Sequence, residues 1–447
     1  MTSKRFIILL FCLAFISGIF WSVTYGEDLT WGSDSFGYNK KALTILEKGI
    51  FFKDVQISER PLYPIFLAGA YKVFGHNYWP VRIIQIFLFV FTCFLVYRIC
   101  QMIFNERIAR LASIMTALCY SIASFTGLFF RESLFTFLII LLIYCLYKAQ
   151  LSYKNIWFVF SGIIMGLAIL TNMVLQFFPL IIIINFLIIG REFGFKKLYP
   201  KIALFFIAFS ITISPWIISD YYHFGRIASG YGSGLLLREK IEKTEVIEGK
   251  YIQHLVGNIL GDFFASRLFL DYDRTETKYG YDTRQRFEDW ANQNKDLVII
   301  DSIFVQEAKT GALKHPIMFL KMTLIDFLKF NTPLAPNVRM TNMFTTTHPE
   351  LSDFTKGSII LFIRFFYLIF FALITYTVVK YIKKWGEISW IILIIFYFNF
   401  IYSILSGFAR YSAPIYPFYI ILATIGLLIF WDKIRNTLIA KAKSNYS

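Results

Sequence analysis

Five short stretches of this 447-residue chain place acids beside arginines and tyrosines. Asp34 and Tyr38 stand in "WGSDSFGYNKKALTILEKG", and Glu59, Arg60 and Tyr63 in "SERPLYP". Arg131 and Glu132 stand in "FFRESLF", Arg226 in "YYHFGR", and Arg410 with Tyr411 in "FARYSAPIYP". A carboxylate can take the proton of an attacking hydroxyl or amine, while guanidinium forks hold phosphate oxygens. This set of residue types therefore suits a reaction between a hydroxyl or amine and a phosphate-linked group. The sequence has no GxxxxGK loop and no GxGxxG, so a soluble nucleotide donor has no recognisable site. The donor is expected to arrive within the membrane.

The elements that must position these residues are apolar. Hydrophobic residues make up 57% of the chain, aromatics 19% and charged residues 17%, against a charged share of roughly 25% in soluble domains. An all-α polytopic membrane protein is the expected fold class. A spanning helix needs about 20 mostly apolar residues. Ten runs qualify, near 5–25, 79–101, 108–128, 132–149, 155–171, 174–190, 199–219, 358–379, 388–406 and 413–431. The first has a basic start and is longer than a signal-peptide core, which reads as an uncleaved anchor.

Charge sets the expected orientation. The formal net charge is +16, and its lysines and arginines cluster in alternate short loops, among them Arg107, Arg110, Lys196, Lys197, Lys383 and Lys384. The other short loops hold little beyond Arg131 and Arg410. By the positive-inside rule both termini are cytoplasmic, and the clusters explain the charge without nucleic acid. Two segments that do not span, 26–78 and 220–357, then lie outside the cytoplasm within one integral domain. The second has helix-like periodicity and reads as an ordered layer on the membrane. Its stretch His315–Phe330 is apolar but interrupted by Lys321, Asp326 and Lys329, which suits an interfacial helix better than a span. The same orientation gathers all the candidate residues at one membrane face.

Each candidate also has a plainer role. Asp34 is a plausible N-cap for a helix over Ser35–Glu47. The prolines of "RPLYP" suit a turn, Arg131 and Glu132 an exposed ion pair, and Arg410 an interfacial anchor. Trp21, Trp79, Trp216 and Trp431 suit interface belts. The five cysteines show no paired spacing and the five histidines no metal-ligand spacing, so neither disulfides nor a zinc site are implied. A divalent cation held by Asp34, Glu59 or Glu132 together with phosphate oxygens remains open.

Six phrases in order resemble the GT-C glycosyltransferases that use polyprenyl-phosphate sugars, the superfamily of protein O-mannosyltransferases and lipid A aminoarabinose transferases. They are "SDSFGYNKKALTILEKGIF", "RPLYPIFLAGAYKVFGHNYWPVRIIQIFL", "ARLASIMTALCYSIASFTGLFFRESLFTFLIILLIY", "GLAILTNMVLQFFPLI", "ISPWIISDYYHFGRIASGYGSG" and "ARYSAPIYPFYIILATIGL". The resemblance implies a site at the extracytoplasmic face, roofed by the first loop and the long later one. It maps the family's first-loop acid onto Asp34, and puts Arg60, Glu132 and Arg410 at positions for phosphate or substrate contacts. Three departures stand out: Ser35 where relatives often carry a second acid, Pro61-Leu62 where a double proline is usual, and Ser219-Asp220 where Arg-Asn follows Pro-Trp. Arg226 could restore the missing basic group.

The expected activity is therefore transfer of a sugar from a polyprenyl-phosphate donor, undecaprenyl phosphate being the bacterial carrier, to an extracytoplasmic acceptor. The acceptor is a glycolipid, a protein or a wall glycan, and the location a bacterial plasma (inner) membrane. A flippase or transporter for lipid-linked glycans is the rival from another class, but such carriers often show paired repeats and midplane charges, and no repeat is evident. An O-antigen-type polymerase or ligase is the closer alternative.

Overall fold

The computed structural model describes residues 2–25, 33–52, 61–190, 195–224, 232–272, 281–293, 296–332 and 353–444. The described residues are helical with turns between, and the chain divides into two compact units. One comprises Met1–Ile227, Phe370–Ile395 and Ala413–Ser447, the other Ala228–Ile369 and Phe396–Ser412.

The first unit opens with α1 (Ser3–Thr24), then α2 (Ser33–Lys48), α3 (Leu62–Phe74), α4 (Tyr78–Ile103) and α5 (Glu106–Ala117). It continues through α6 (Glu132–Ser152), α7 (Asn155–Thr171), α8 (Phe178–Ile189) and α9 (Phe195–Phe224). α4 and α5 start at asparagine caps, Asn77 and Asn105, whose side chains accept from Trp79 N and Ile108 N, the expected use of a short amide at a helix start. Side-chain hydrogen bonds fasten later helices to earlier ones. Tyr147 and Gln150 of α6 donate to the carbonyls of Glu387 and Gly386, at 2.7 and 2.8 Å. Trp390, fully buried, donates to Gln150 Oε1 at 2.7 Å.

Among the described residues seven helices are long and apolar enough to cross a membrane, or eight if the bent pair Glu106–Ala117 and Tyr120–Thr126 counts as one span. The chain is a multi-pass membrane protein, with fewer full-length spans than the ten apolar runs suggest. The runs near 155–171 and 174–190 form helices of 17 residues or fewer, about 26 Å at 1.5 Å per residue against a core of about 30 Å. Their break falls at Asn172, which leaves the helix at ψ 115 and accepts from Val174 N at 3.2 Å. A side chain that supplies its own backbone acceptor offers the chain an alternative to helix. The run near 108–128 bends by 56° where Leu118 and Cys119 interrupt it.

The second unit holds the helices of the long polar segment: α10 (Ser233–Ile247), α11 (Tyr251–Leu260), α12 (Asp262–Leu268), α13 (Tyr281–Asn292), α14 (Leu297–Lys314) and α15 (Pro316–Phe330). It also takes the first part of α16 (Asp353–Tyr381) and the last part of α17 (Trp385–Leu405), while α18 (Tyr416–Ser444) returns to the first unit. Asp301 of α14 accepts from Gly232 N and Leu235 N at 2.8 and 3.1 Å, satisfying donors that the start of α10 leaves open. α15 is 15 residues long, about 22 Å, too short to span. It buries Met318, Met322 and Ile325 and exposes Ile317, Leu320, Leu324 and Phe327, the two-sided pattern of an interfacial helix.

Candidate active site

Asp34 lies in the first turn of α2 and is exposed. The helix starts at Ser33, so Asp34 sits inside it rather than at the cap position suggested by the Ser35–Glu47 reading. A carboxylate there faces the positive end of the helix dipole. One turn later on the same helix, Tyr38 is buried. Residues four apart are neighbours on a helix surface, with about 5–6 Å between Cβ atoms. The exposed acid therefore stands one turn from whatever Tyr38 holds.

Tyr38 holds Arg131. The Arg131 Nη1 donates to the Tyr38 hydroxyl at 3.3 Å, across 93 positions of sequence. Arg131 precedes α6 and Glu132 begins it, and the two are 4% and 3% exposed. Burial this deep rules out a solvent-screened surface pair. The Arg131 Nε is buried without a hydrogen-bond partner, which is costly for a guanidinium unless another acceptor joins it. The Tyr38 ring meets the Tyr63 ring edge-on, with centroids 5.0 Å apart.

Tyr63 connects this group to a polar clamp. Its hydroxyl donates to Gln85 Oε1 at 2.9 Å, and Gln85 Nε2 donates to the carbonyls of Thr126 and Leu128, both at 3.0 Å. Arg82, one turn before Gln85 on α4, donates from Nε to the Gly127 carbonyl at 3.1 Å. The turn before Arg131 is thus gripped at three consecutive carbonyls. From its other side it presses on α1, where a Cβ on Gly127 would come within 2.8 Å of the Ser22 Cα and the Tyr25 ring. Arg82 and Gln85 were not among the candidates drawn from the sequence. The signal was present, since an arginine and a glutamine three apart inside an apolar run mark a polar face within the membrane.

Nearby, Asn39 of α2 accepts from Tyr71 Oη at 2.7 Å and pairs with His76 Nε2 at 3.1 Å, fastening α2 to α3. Burial pushes the Tyr71 phenol above its ordinary value. A cavity of about 230 Å³ opens at the start of α4, lined by His76, Asn77, Tyr78, Trp79 and Arg82.

Arg410 and Tyr411 belong to the second unit, in the 3-10 turn Ala409–Ile415 that follows α17. Tyr411 stacks on Tyr402 with centroids 4.9 Å apart. Glu59, Arg60 and Arg226 lie outside the described residues. Among the described residues no three His, Cys, Asp or Glu side chains gather as metal ligands. Of the cation candidates, Asp34 and Glu132 lie on α2 and α6.

This arrangement of helices is shared with known enzymes. The archaeal oligosaccharyltransferase AglB from Archaeoglobus fulgidus, solved with an inhibitory peptide and a dolichol-phosphate, superposes at a TM-score of 0.53 and 13% identity over 99% of the chain. The apo crystal structure of the Archaeoglobus fulgidus oligosaccharyltransferase gives 0.54 and 14% over 98%. In each case the chain spans about half of the relative, 52% of its length. At this identity the likeness is one of fold, which the chain shares with these oligosaccharyltransferases. Residues 58–218, from just before Arg60 to just before Asp220, match the model of the dolichyl-phosphate-mannose-protein mannosyltransferase family. No curated protein matches the sequence.

Proposed function

We propose that the chain is a membrane glycosyltransferase that moves a sugar from a polyprenyl-phosphate donor, undecaprenyl phosphate being the carrier, to an extracytoplasmic acceptor. The observation that carries this reading is the exposed carboxylate of Asp34 one helical turn from the buried Tyr38–Arg131 contact, within a GT-C fold whose solved relative binds a dolichol-phosphate. The acceptor oxygen or nitrogen attacks the anomeric carbon while its proton passes to Asp34. The bond between that carbon and the phosphate oxygen breaks, and polyprenyl phosphate leaves. Its charge is met by guanidinium groups, Arg131 foremost because its Nε has room for one more acceptor. Tyr38 and Tyr63 hold that arginine in place. Glu59, Arg60, Glu132, Arg226, Arg410 and Tyr411 are assigned substrate or phosphate contacts by their motif positions.

The positive-inside rule supports cytoplasmic termini, with the segments 26–78 and 220–357 outside the cytoplasm; the bacterial plasma (inner) membrane location goes with undecaprenyl phosphate as the carrier. A labelled polyprenyl-phosphate sugar given to the purified protein in detergent tests the proposal. Release of polyprenyl phosphate is expected, and intact donor after prolonged incubation with acceptor-containing membranes would contradict it. Transport alone breaks no glycosyl bond, so the same assay separates a flippase.

A further inference from the structure

Lys240 of α10 is among the most deeply buried charges of the second unit, its side chain 2% exposed. Its Nζ lies 2.6 Å from the Ser403 carbonyl, 3.1 Å from the Ile404 carbonyl, 2.9 Å from Thr323 Oγ1 and 3.1 Å from Asp326 Oδ2. An ammonium has three N–H bonds, and these four acceptors saturate them. Ser403 and Ile404 stand in the last turn of α17, which ends at Leu405. Carbonyls there have no partner within their own helix, and a cation at a helix C-terminus is favoured by the dipole. One side chain of α10 thus caps α17 and pairs with α15.

The chain leaves that cap directly into the turn that carries Arg410 and Tyr411. Gly407 packs backbone to backbone on Asp326, the ion-pair partner of Lys240, so that a Cβ at Gly407 would run into the Asp326 carbonyl. Tyr402, just inside the cap, is sandwiched between the Phe330 ring at 5.3 Å and the Tyr411 ring at 4.9 Å. Lys243, three residues beyond Lys240, lies 5.8 Å over the Phe408 ring. Every residue of this junction belongs to the second unit. A buried ion pair is weak evidence for stability, since apolar replacements of similar volume often serve as well. Its use here is geometric, because an ammonium with four fixed acceptors admits one arrangement of the three helices.

We propose that Lys240 is a positioning residue for Arg410 and Tyr411, so that a residue of the long polar segment sets how firmly the end of α17 holds the donor's phosphate. The inference rests on the assignment of Arg410 to that phosphate. Full-length protein in detergent, titrated with undecaprenyl phosphate and followed by native mass spectrometry, tests it. Four proteins are compared with wild type: Arg410→Met, the charge-free pair Lys240→Met with Asp326→Asn, all three changes together, and Gly407→Ala. The paired substitution removes both charges and keeps the side-chain volumes, and every protein is titrated at a temperature where its own unfolding curve shows it folded. Both Arg410→Met and the pair are expected to weaken binding about tenfold or more. The triple variant is expected to bind no more weakly than Arg410→Met alone, because residues acting through one group are not additive. Gly407→Ala, which disturbs the same turn without touching a charge, is expected to weaken binding in the same way. Wild-type affinity in the pair and in Gly407→Ala, with Arg410→Met weakened, overturns the inference alone. Wild-type affinity in Arg410→Met overturns the phosphate assignment and the inference with it.

Discussion

Gln85→Met tests whether the polar clamp behind Arg131 holds the site. Methionine matches glutamine in length and stays apolar, so the substitution keeps the packing of a fully buried position and removes only hydrogen bonds. Three are lost: the Tyr63 hydroxyl gives up its 2.9 Å acceptor, and the carbonyls of Thr126 and Leu128 give up a 3.0 Å donor each. Side-chain hydrogen bonds between membrane helices average about 0.6 kcal/mol, and hydrogen bonds in proteins generally about 1 kcal/mol, with more when a buried group is left unmade. The sum is about 2–4 kcal/mol. At roughly 2–4 °C per kcal/mol, and toward the lower figure for a unit of this size, the thermal midpoint falls by roughly 4–10 °C. Thermal unfolding of the purified protein in one detergent, with donor turnover measured on the same samples at a temperature where both proteins are folded, gives both quantities. Turnover falls as well, because the turn that Gln85 grips leads into Arg131. A midpoint within 1 °C of wild type with unchanged turnover would refute the clamp.

Two further outcomes follow from the same geometry. Arg131→Met removes the guanidinium assigned to the departing phosphate and lowers turnover by roughly 10²-fold or more. Tyr38→Phe removes one long contact of 3.3 Å and costs less than tenfold; the reverse ranking in a donor-turnover assay contradicts their roles. Glu307 of α14 is held below its ordinary value, chiefly by hydrogen bonds from Arg286 and also from Arg238. A carboxylate depressed in the folded state stabilises above its unfolded value, about 4.3, and that contribution is lost as pH falls through the folded value. The gap in thermal midpoint between wild type and Glu307→Gln is therefore wide at pH 7 and closes below about pH 4; a gap independent of pH contradicts this.

How much of the molecule could be read in advance depends on the range of the forces involved. Apolar runs mark α1, α4, α6, α16 and α17 because burial in lipid acts on composition alone. The helix after Asp34 was readable from a local start signal, an acid ahead of a periodic stretch, to within two residues at its start. The gap between the runs near 155–171 and 174–190 was readable too, and Asn172 falls in it; the bend inside the run near 108–128 was not, since Leu118 and Cys119 interrupt that helix without a polar residue to mark the place. The site divides in the same way. Residue types and flanking runs nominate Asp34, Tyr38, Tyr63 and Arg131, but the contacts among them join positions far apart, such as Tyr38 with Arg131 or Lys240 with Ser403. The burial of Arg131 and Glu132 could not be seen from a stretch that reads equally well as an exposed turn.

The central claim is that Asp34 takes the acceptor proton. The most direct measurement is the surface glycan profile of a deletion strain expressing either the wild-type chain or Asp34→Asn at equal membrane levels. Asparagine keeps the size and removes the base, and general bases are worth roughly 10²–10⁴-fold in rate. The account predicts that Asp34→Asn leaves the glycans of the deletion strain unchanged while wild type restores them. Full restoration by Asp34→Asn would contradict it.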